Sequence, residues 1–119
     1  MPPLAIALLI GVLSGVVAAL CGVGGGIVMV PLFVLLLGMP QKTAVATSLA
    51  AIVLTALLAS VKNHANHFID WRVAIPAGLA GACVAWFAAD VLKHLGNQTL
   101  TRIFAIVLIL VGVRMLFNK

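Results

Sequence analysis

Few residues in this chain could do chemistry, and the most concentrated set contains no reactive side chain. It is the run Cys21-Gly22-Val23-Gly24-Gly25-Gly26-Ile27-Val28-Met29-Val30-Pro31, in which Gly22, Gly24, Gly25 and Gly26 interrupt an apolar stretch from Leu4 to Leu37. Glycine gains nothing from the bilayer by burial and costs about 0.5–1 kcal/mol per residue inside a helix. In hydrocarbon, non-helical backbone survives only where protein buries it or where it lines a watery cavity. Glycines there let the backbone approach a ligand closely and leave amide groups free at the start of the next helix. A helix N-terminus carries roughly +0.5 charge and unpaired donors, so the chemistry predicted is anion binding by an intramembrane turn.

The side chains that could assist are hydroxyls. Thr47 and Ser48 open the next apolar segment, Ala44-Val45-Ala46-Thr47-Ser48-Leu49. Each hydroxyl has two readings: a donor to an oxyanion, or a bond back to a carbonyl of the preceding turn, the commoner fate of such residues in membrane helices. Thr55 and Ser60 carry the same two readings. His64 and His67 have a spacing that could set two imidazoles on one metal, but no third ligand lies nearby, so neither a metal nor a cofactor is expected. Cys21 beside the turn would make a thiol enzyme conceivable. With no His or Lys close in sequence to lower its pKa, it reads as an apolar filler, and the chain as a non-enzyme.

The elements that must position these groups follow from composition. The chain has 119 residues, of which 65% are hydrophobic and 8% charged, with a mean hydropathy of +1.33. A soluble domain of this size has no interior large enough for that much apolar surface, so the class is integral membrane protein with the lipid bilayer as solvent. Alternating segments of about ten residues are lacking, which excludes barrel strands. The first residues carry no basic stretch before the apolar run, so they read as a first span rather than a cleaved leader. The net charge of +5 comes from basic residues scattered singly, the pattern of topology signals and not of a nucleic-acid patch.

The fold expected is all-α: four full transmembrane helices plus a short half-helix or re-entrant segment after the Gly-rich break, in one domain over residues 1–119. The spans are 4–20, 44–61, 73–92 and 103–117, with polar loops at 62–72 and 93–102; the short segment is 27–37. At 1.5 Å per residue that segment goes about halfway across, and Pro31 inside it frees one more carbonyl. Short segments beside glycine breaks are the mark of discontinuous helices at transporter binding sites. Gly11 and Gly15 form a GxxxG pair. Ala74, Gly78 and Ala82 make one small-residue ridge and Ala77, Gly81 and Ala85 another, so the fourth span is expected at the bundle centre. The last span is expected to face lipid. Asp70 is placed to cap the fourth span, with Trp71 and Arg72 at the interface, and Asp90 to pair with Lys93.

Orientation is nearly balanced. Lys42, Lys93 and Arg102 fall on one side, and Lys62, Arg72, Arg114 and Lys119 on the other. A bias of one charge is weak and leans toward insertion in both orientations and an antiparallel homodimer, while a parallel dimer stays open.

Taken in order, the glycine motif ending in Pro31, Ala44-Val45-Ala46-Thr47-Ser48-Leu49, Ile69-Asp70-Trp71-Arg72 and the Gly78/Gly81 helix resemble the TauE/SafE sulfite exporter family. The resemblance implies a multi-pass permease, in a bacterial inner membrane, for a small inorganic or organic sulfur anion such as sulfite, thiosulfate or a sulfonate. Members usually contain two homologous halves, so it also implies a homodimer or a second half-length subunit. By position, Gly22, Gly24, Gly25, Gly26 and Pro31 match the glycine motif and Thr47 and Ser48 the start of the following helix, and Asn63 offers a donor at the pathway mouth. The alternatives are a passive small-anion channel and a structural subunit.

Overall fold

The structure, a computed structural model, describes residues 2–22 and 24–118. Val23 of the glycine motif and Lys119 of the charge balance lie outside the described residues. Five helices follow one another: α1 (Pro3–Cys21), α2 (Gly26–Leu37), α3 (Gln41–Ala65), α4 (Trp71–His94) and α5 (Asn97–Phe117). Four of them are long and apolar enough to cross a membrane; α2, with 12 residues, is the exception.

Each boundary has a local cause. Proline opens α1 at its first position, where its missing amide costs nothing. Gly22 ends α1 in the left-handed conformation (φ 69°), with its amide bonded to the Ala18 carbonyl at 3.0 Å. Gly25, also left-handed at φ 79°, starts α2, and its carbonyl accepts from the amides of Val28 and Met29 at 3.0 and 2.8 Å. Asp70 caps α4 as expected, its Oδ1 accepting from the Arg72 amide at 3.0 Å. Asp90 pairs with Lys93 at 3.4 Å near the other end.

The helices outrun their apolar cores. Residues 62–65, expected in a loop, extend α3; Trp71 and Arg72 belong to α4; and α5 begins at Asn97, so Leu95 and Gly96 alone separate it from α4. Hydropathy marks where a helix can sit in lipid, whereas its backbone bonds are equally satisfied for a further turn in the polar interface.

The core is small: Ile10 of α1, Met29, Val30 and Phe33 of α2, and Ala44 of α3, with Ile6 and Phe104 packed against it. α2 runs antiparallel to α1, from Gly25 beside Ser14 and Ala18 toward the level of Ile10 and Ile6. The first turn of α3 meets the end of α4 and the start of α5: the Lys42 amide donates to Asn97 Oδ1 at 3.2 Å, and Lys42 Nζ to the Lys93 carbonyl at 3.3 Å.

Two expectations are corrected. α4 has no buried residue and stands at the edge of the chain, not its centre. A Cβ added at Gly78 or Gly81 would meet nothing within 4 Å, and the same holds at Gly11 and Gly15. Small ridges confer the capacity for close packing without naming the partner. α5, in turn, does not only face lipid, since Phe104 packs on the core and α5 lies along α3.

Candidate functional site: a helix start at mid-span

The glycine turn lies halfway along its neighbours. A Cβ at Gly25 would be 3.1 Å from the Ser14 carbonyl oxygen, 3.3 Å from Ser14 Cβ and 3.5 Å from Ala18 Cβ. Ser14 is near the midpoint of α1, about 16 Å from the start of a helix about 28 Å long. On the other side, Cβ atoms at Gly24 and Gly26 would come within 3.2 and 3.1 Å of the Ile52 side chain, and Ile52 lies next to the central residue of α3, Val53. The chain leaves α1 at Cys21 and drops back alongside it by about two turns before α2 begins.

That descent requires glycine twice over. Gly22, Gly24 and Gly25 all have φ between 69° and 79°, a region that costs an L side chain about 1–2 kcal/mol. Gly25 is also buried against backbone. The partner face of α1 is prepared for it: Ser14 is fully buried, and its hydroxyl donates to the Ile10 carbonyl at 2.6 Å, leaving no unpaired polar hydrogen against the turn.

A cavity of about 170 Å³ opens beside the turn. Ala18, Ala19, Gly22 and Gly24 form one wall, and the α3 face carrying Thr55, Ser60 and Asn63 forms the other. The alanines at 18, 19, 56 and 59 keep it open, because no long side chain projects from either helix. Thr55 donates back to the Ile52 carbonyl at 3.1 Å, so Ser60 and Asn63 are the polar side chains best placed to donate into it. α2 starts without a side-chain cap, so its partial positive end begins two residues past Gly24 of this wall.

The residues singled out from sequence are divided among several places. Gly22, Gly24 and Asn63 line this cavity. Gly26 and Ser48 line a second, mostly apolar groove between α2, α3 and α5, where the Ser48 hydroxyl bonds back to the Val45 carbonyl at 2.8 Å. Pro31 faces a third space, with Gln41, Thr101 and Phe104. Thr47 is exposed in an open groove with Lys42, Thr43 and Lys93. Thr47 and Asn63 are sixteen residues apart on one helix, about 24 Å, too far for one small anion to touch both. Ser60 and Thr55 are the residues that sequence reading underweighted; the signal available was their spacing of three and eight from Asn63 on one side of α3. His64 accepts from Trp71 Nε1 at 3.1 Å through its Nδ1, which ties the end of α3 to the start of α4.

A short helix that starts partway along two long apolar helices, beside a small cavity, is similar to the discontinuous helices of membrane transporters. The chain belongs to the family described as Sulfite exporter TauE/SafE, which it matches over residues 6–119. It is 36% identical over 119 residues to the probable membrane transporter protein YunE of Bacillus subtilis, covering 97% of this chain and 41% of the relative. Against a probable membrane transporter protein of Haemophilus influenzae it is 29% identical, over 93% of this chain and 45% of the relative. Against Sulfite exporter TauE/SafE family protein 3 of Arabidopsis thaliana it is 32% identical over 93 residues, 78% of this chain and 18% of that protein. The chain thus spans under half the length of these bacterial relatives. No solved structure matches it.

Proposed function

We propose that the protein is a permease for a small sulfur oxyanion, sulfite or a close relative, working as a pair of copies in a bacterial plasma membrane. The observation that carries this reading is the start of α2 near the middle of α1 and α3, beside a cavity walled by Gly22, Gly24, Ser60 and Asn63. Backbone amides of the turn and the Ser60 and Asn63 side chains replace part of the anion's water. Without a lysine or arginine among the cavity residues, binding is moderate, as release requires. Thr47 and Ser48 act in this scheme through packing and solubility of α3, not as ligands.

Pairing is supported by surface. The chain exposes 8973 Å², against about 6,100 Å² expected for a compact chain of this mass. The excess is several times the roughly 800 Å² that one partner contributes to a standard interface. Two copies also supply about the length of one bacterial relative.

Uptake by liposomes containing only this purified chain tests the reading, with sulfite, thiosulfate, sulfate, a short sulfonate and chloride compared. Saturable uptake of one sulfur oxyanion is the expected result. Linear, unsaturable flux would replace the permease by a channel, and no flux of any anion would leave a subunit that needs a different partner.

A further inference from the structure

The cavity beside the glycine turn and the apolar groove between α2, α3 and α5 approach each other on either side of one side chain. Ile52 Cγ2 lies 3.2 Å from a Cβ position at Gly24, which lines the cavity, and Ile52 Cδ1 lies 3.1 Å from one at Gly26, which lines the groove. Along α3 the change of character falls at the same level. Thr55, Ser60 and Asn63 lie on the cavity side, while Val45, Ser48 and Leu49 lie on the groove side with Ile52 itself.

We propose that Ile52 is the floor of the anion cavity: a dry aliphatic barrier that covers the first turn of α2 and sets how deep water and a ligand can reach. This rests on the reading of the cavity as the anion's site, and makes Ile52 its size-determining residue. Ile52 is branched at Cβ and so held in few rotamers, which lets its two arms cover neighbouring glycines at once. The groove beyond is walled by side chains such as Leu49, Ile103, Phe104 and Val107, and an apolar space of that kind stays dry. The end of the groove next to Ile52 differs, because the first-turn residues Gly26 and Ile27 line it there, and an opening with polar partners takes up water. Shortening Ile52 therefore deepens the wet cavity toward Gly26, whereas an isomer of equal volume does not.

The test reads water access and needs no transport. In a Cys21→Ser, Cys83→Ser background, single cysteines are introduced as Ser60→Cys in the cavity or Ser48→Cys beyond Ile52. The reconstituted protein is then exposed to a membrane-impermeant anionic thiosulfonate. With Ile52 in place, Ser60→Cys reacts readily and Ser48→Cys does not. Adding Ile52→Ala raises the Ser48→Cys rate by about tenfold or more, since access limits attack by a thiol, while Ile52→Leu leaves it low. If the alanine variant fails to fold, Ile52→Val makes the same comparison with one methyl removed. A Ser48→Cys that reacts with Ile52 intact, or that stays inert in a folded Ile52→Ala or Ile52→Val protein, overturns the barrier. Protection of Ser60→Cys by sulfite addresses the underlying reading separately: a barrier without sulfite protection keeps the floor and removes the anion from the cavity.

Discussion

Gly25 lies against Ser14 so closely that a β-carbon would come within 3.1 Å of the Ser14 carbonyl oxygen. Those two residues fix the depth of the α2 start. Everything proposed for function depends on that depth, because a helix N-terminus at the membrane surface would be one of many, whereas one at mid-span is surrounded by hydrocarbon unless a cavity reaches it.

The glycines of the turn are therefore not equivalent. Gly25→Ala combines left-handed strain with a collision against backbone, and should destabilise by about 2–4 kcal/mol. Gly24→Ala meets only the Ile52 side chain, and Gly22→Ala meets nothing within 4 Å, so the latter should cost about 1 kcal/mol. Thermal unfolding of the three variants in detergent checks the order; equal losses would mean that the contact with Ser14 is unimportant.

Hydroxyl substitutions separate the cavity from the sequence motif. Ser48→Ala should leave anion affinity within about twofold, because its proton is already given to Val45. Asn63→Leu and Ser60→Ala should each weaken binding by about 0.5–1.5 kcal/mol. Sulfite titration of the purified variants measures both, and a large loss in Ser48→Ala would move the site to the groove side of Ile52.

Asp70→Ala removes the cap of α4 and should cost about 1 kcal/mol, with Asp70→Asn or Asp70→Ser restoring most of it. The measurement is the unfolding midpoint of the three variants. Restoration by Asn would show that the carboxylate acts as a hydrogen-bond acceptor, not through its charge.

Gly78→Leu and Gly81→Leu should leave the single chain folded, since neither position has a neighbour within 4 Å, yet weaken the pair of copies if the α4 ridges form its interface. Subunit counting by single-molecule photobleaching in liposomes, with circular dichroism as the folding check, tells the two apart. A pair unaffected by both would place the interface elsewhere, with the Gly11 and Gly15 face the next to test.

Much of this protein is legible in the residues themselves. Membrane class, helical fold, four spans and the short α2 follow from hydropathy and length, because lipid offers backbone polar groups no partner outside a helix or a closed barrel. The Asp70 cap and the Asp90–Lys93 pair are local, set by a few neighbouring residues, and are readable for that reason. Placement in depth was not. Gly25 meets Ser14 and Gly24 meets Ile52 across helices, and no spacing along the chain encodes such contacts. Thr47 and Ser48 are adjacent in sequence, but a helix turns about 100° per residue, so one faces the apolar groove and the other an open surface. Small-residue ridges told of close packing, while only the tertiary structure decided that α4 buries none of its residues among the described residues of its own chain. Local order follows from backbone hydrogen bonding and hydropathy, whereas the site arises where three helices cross, which the sum of their packing determines.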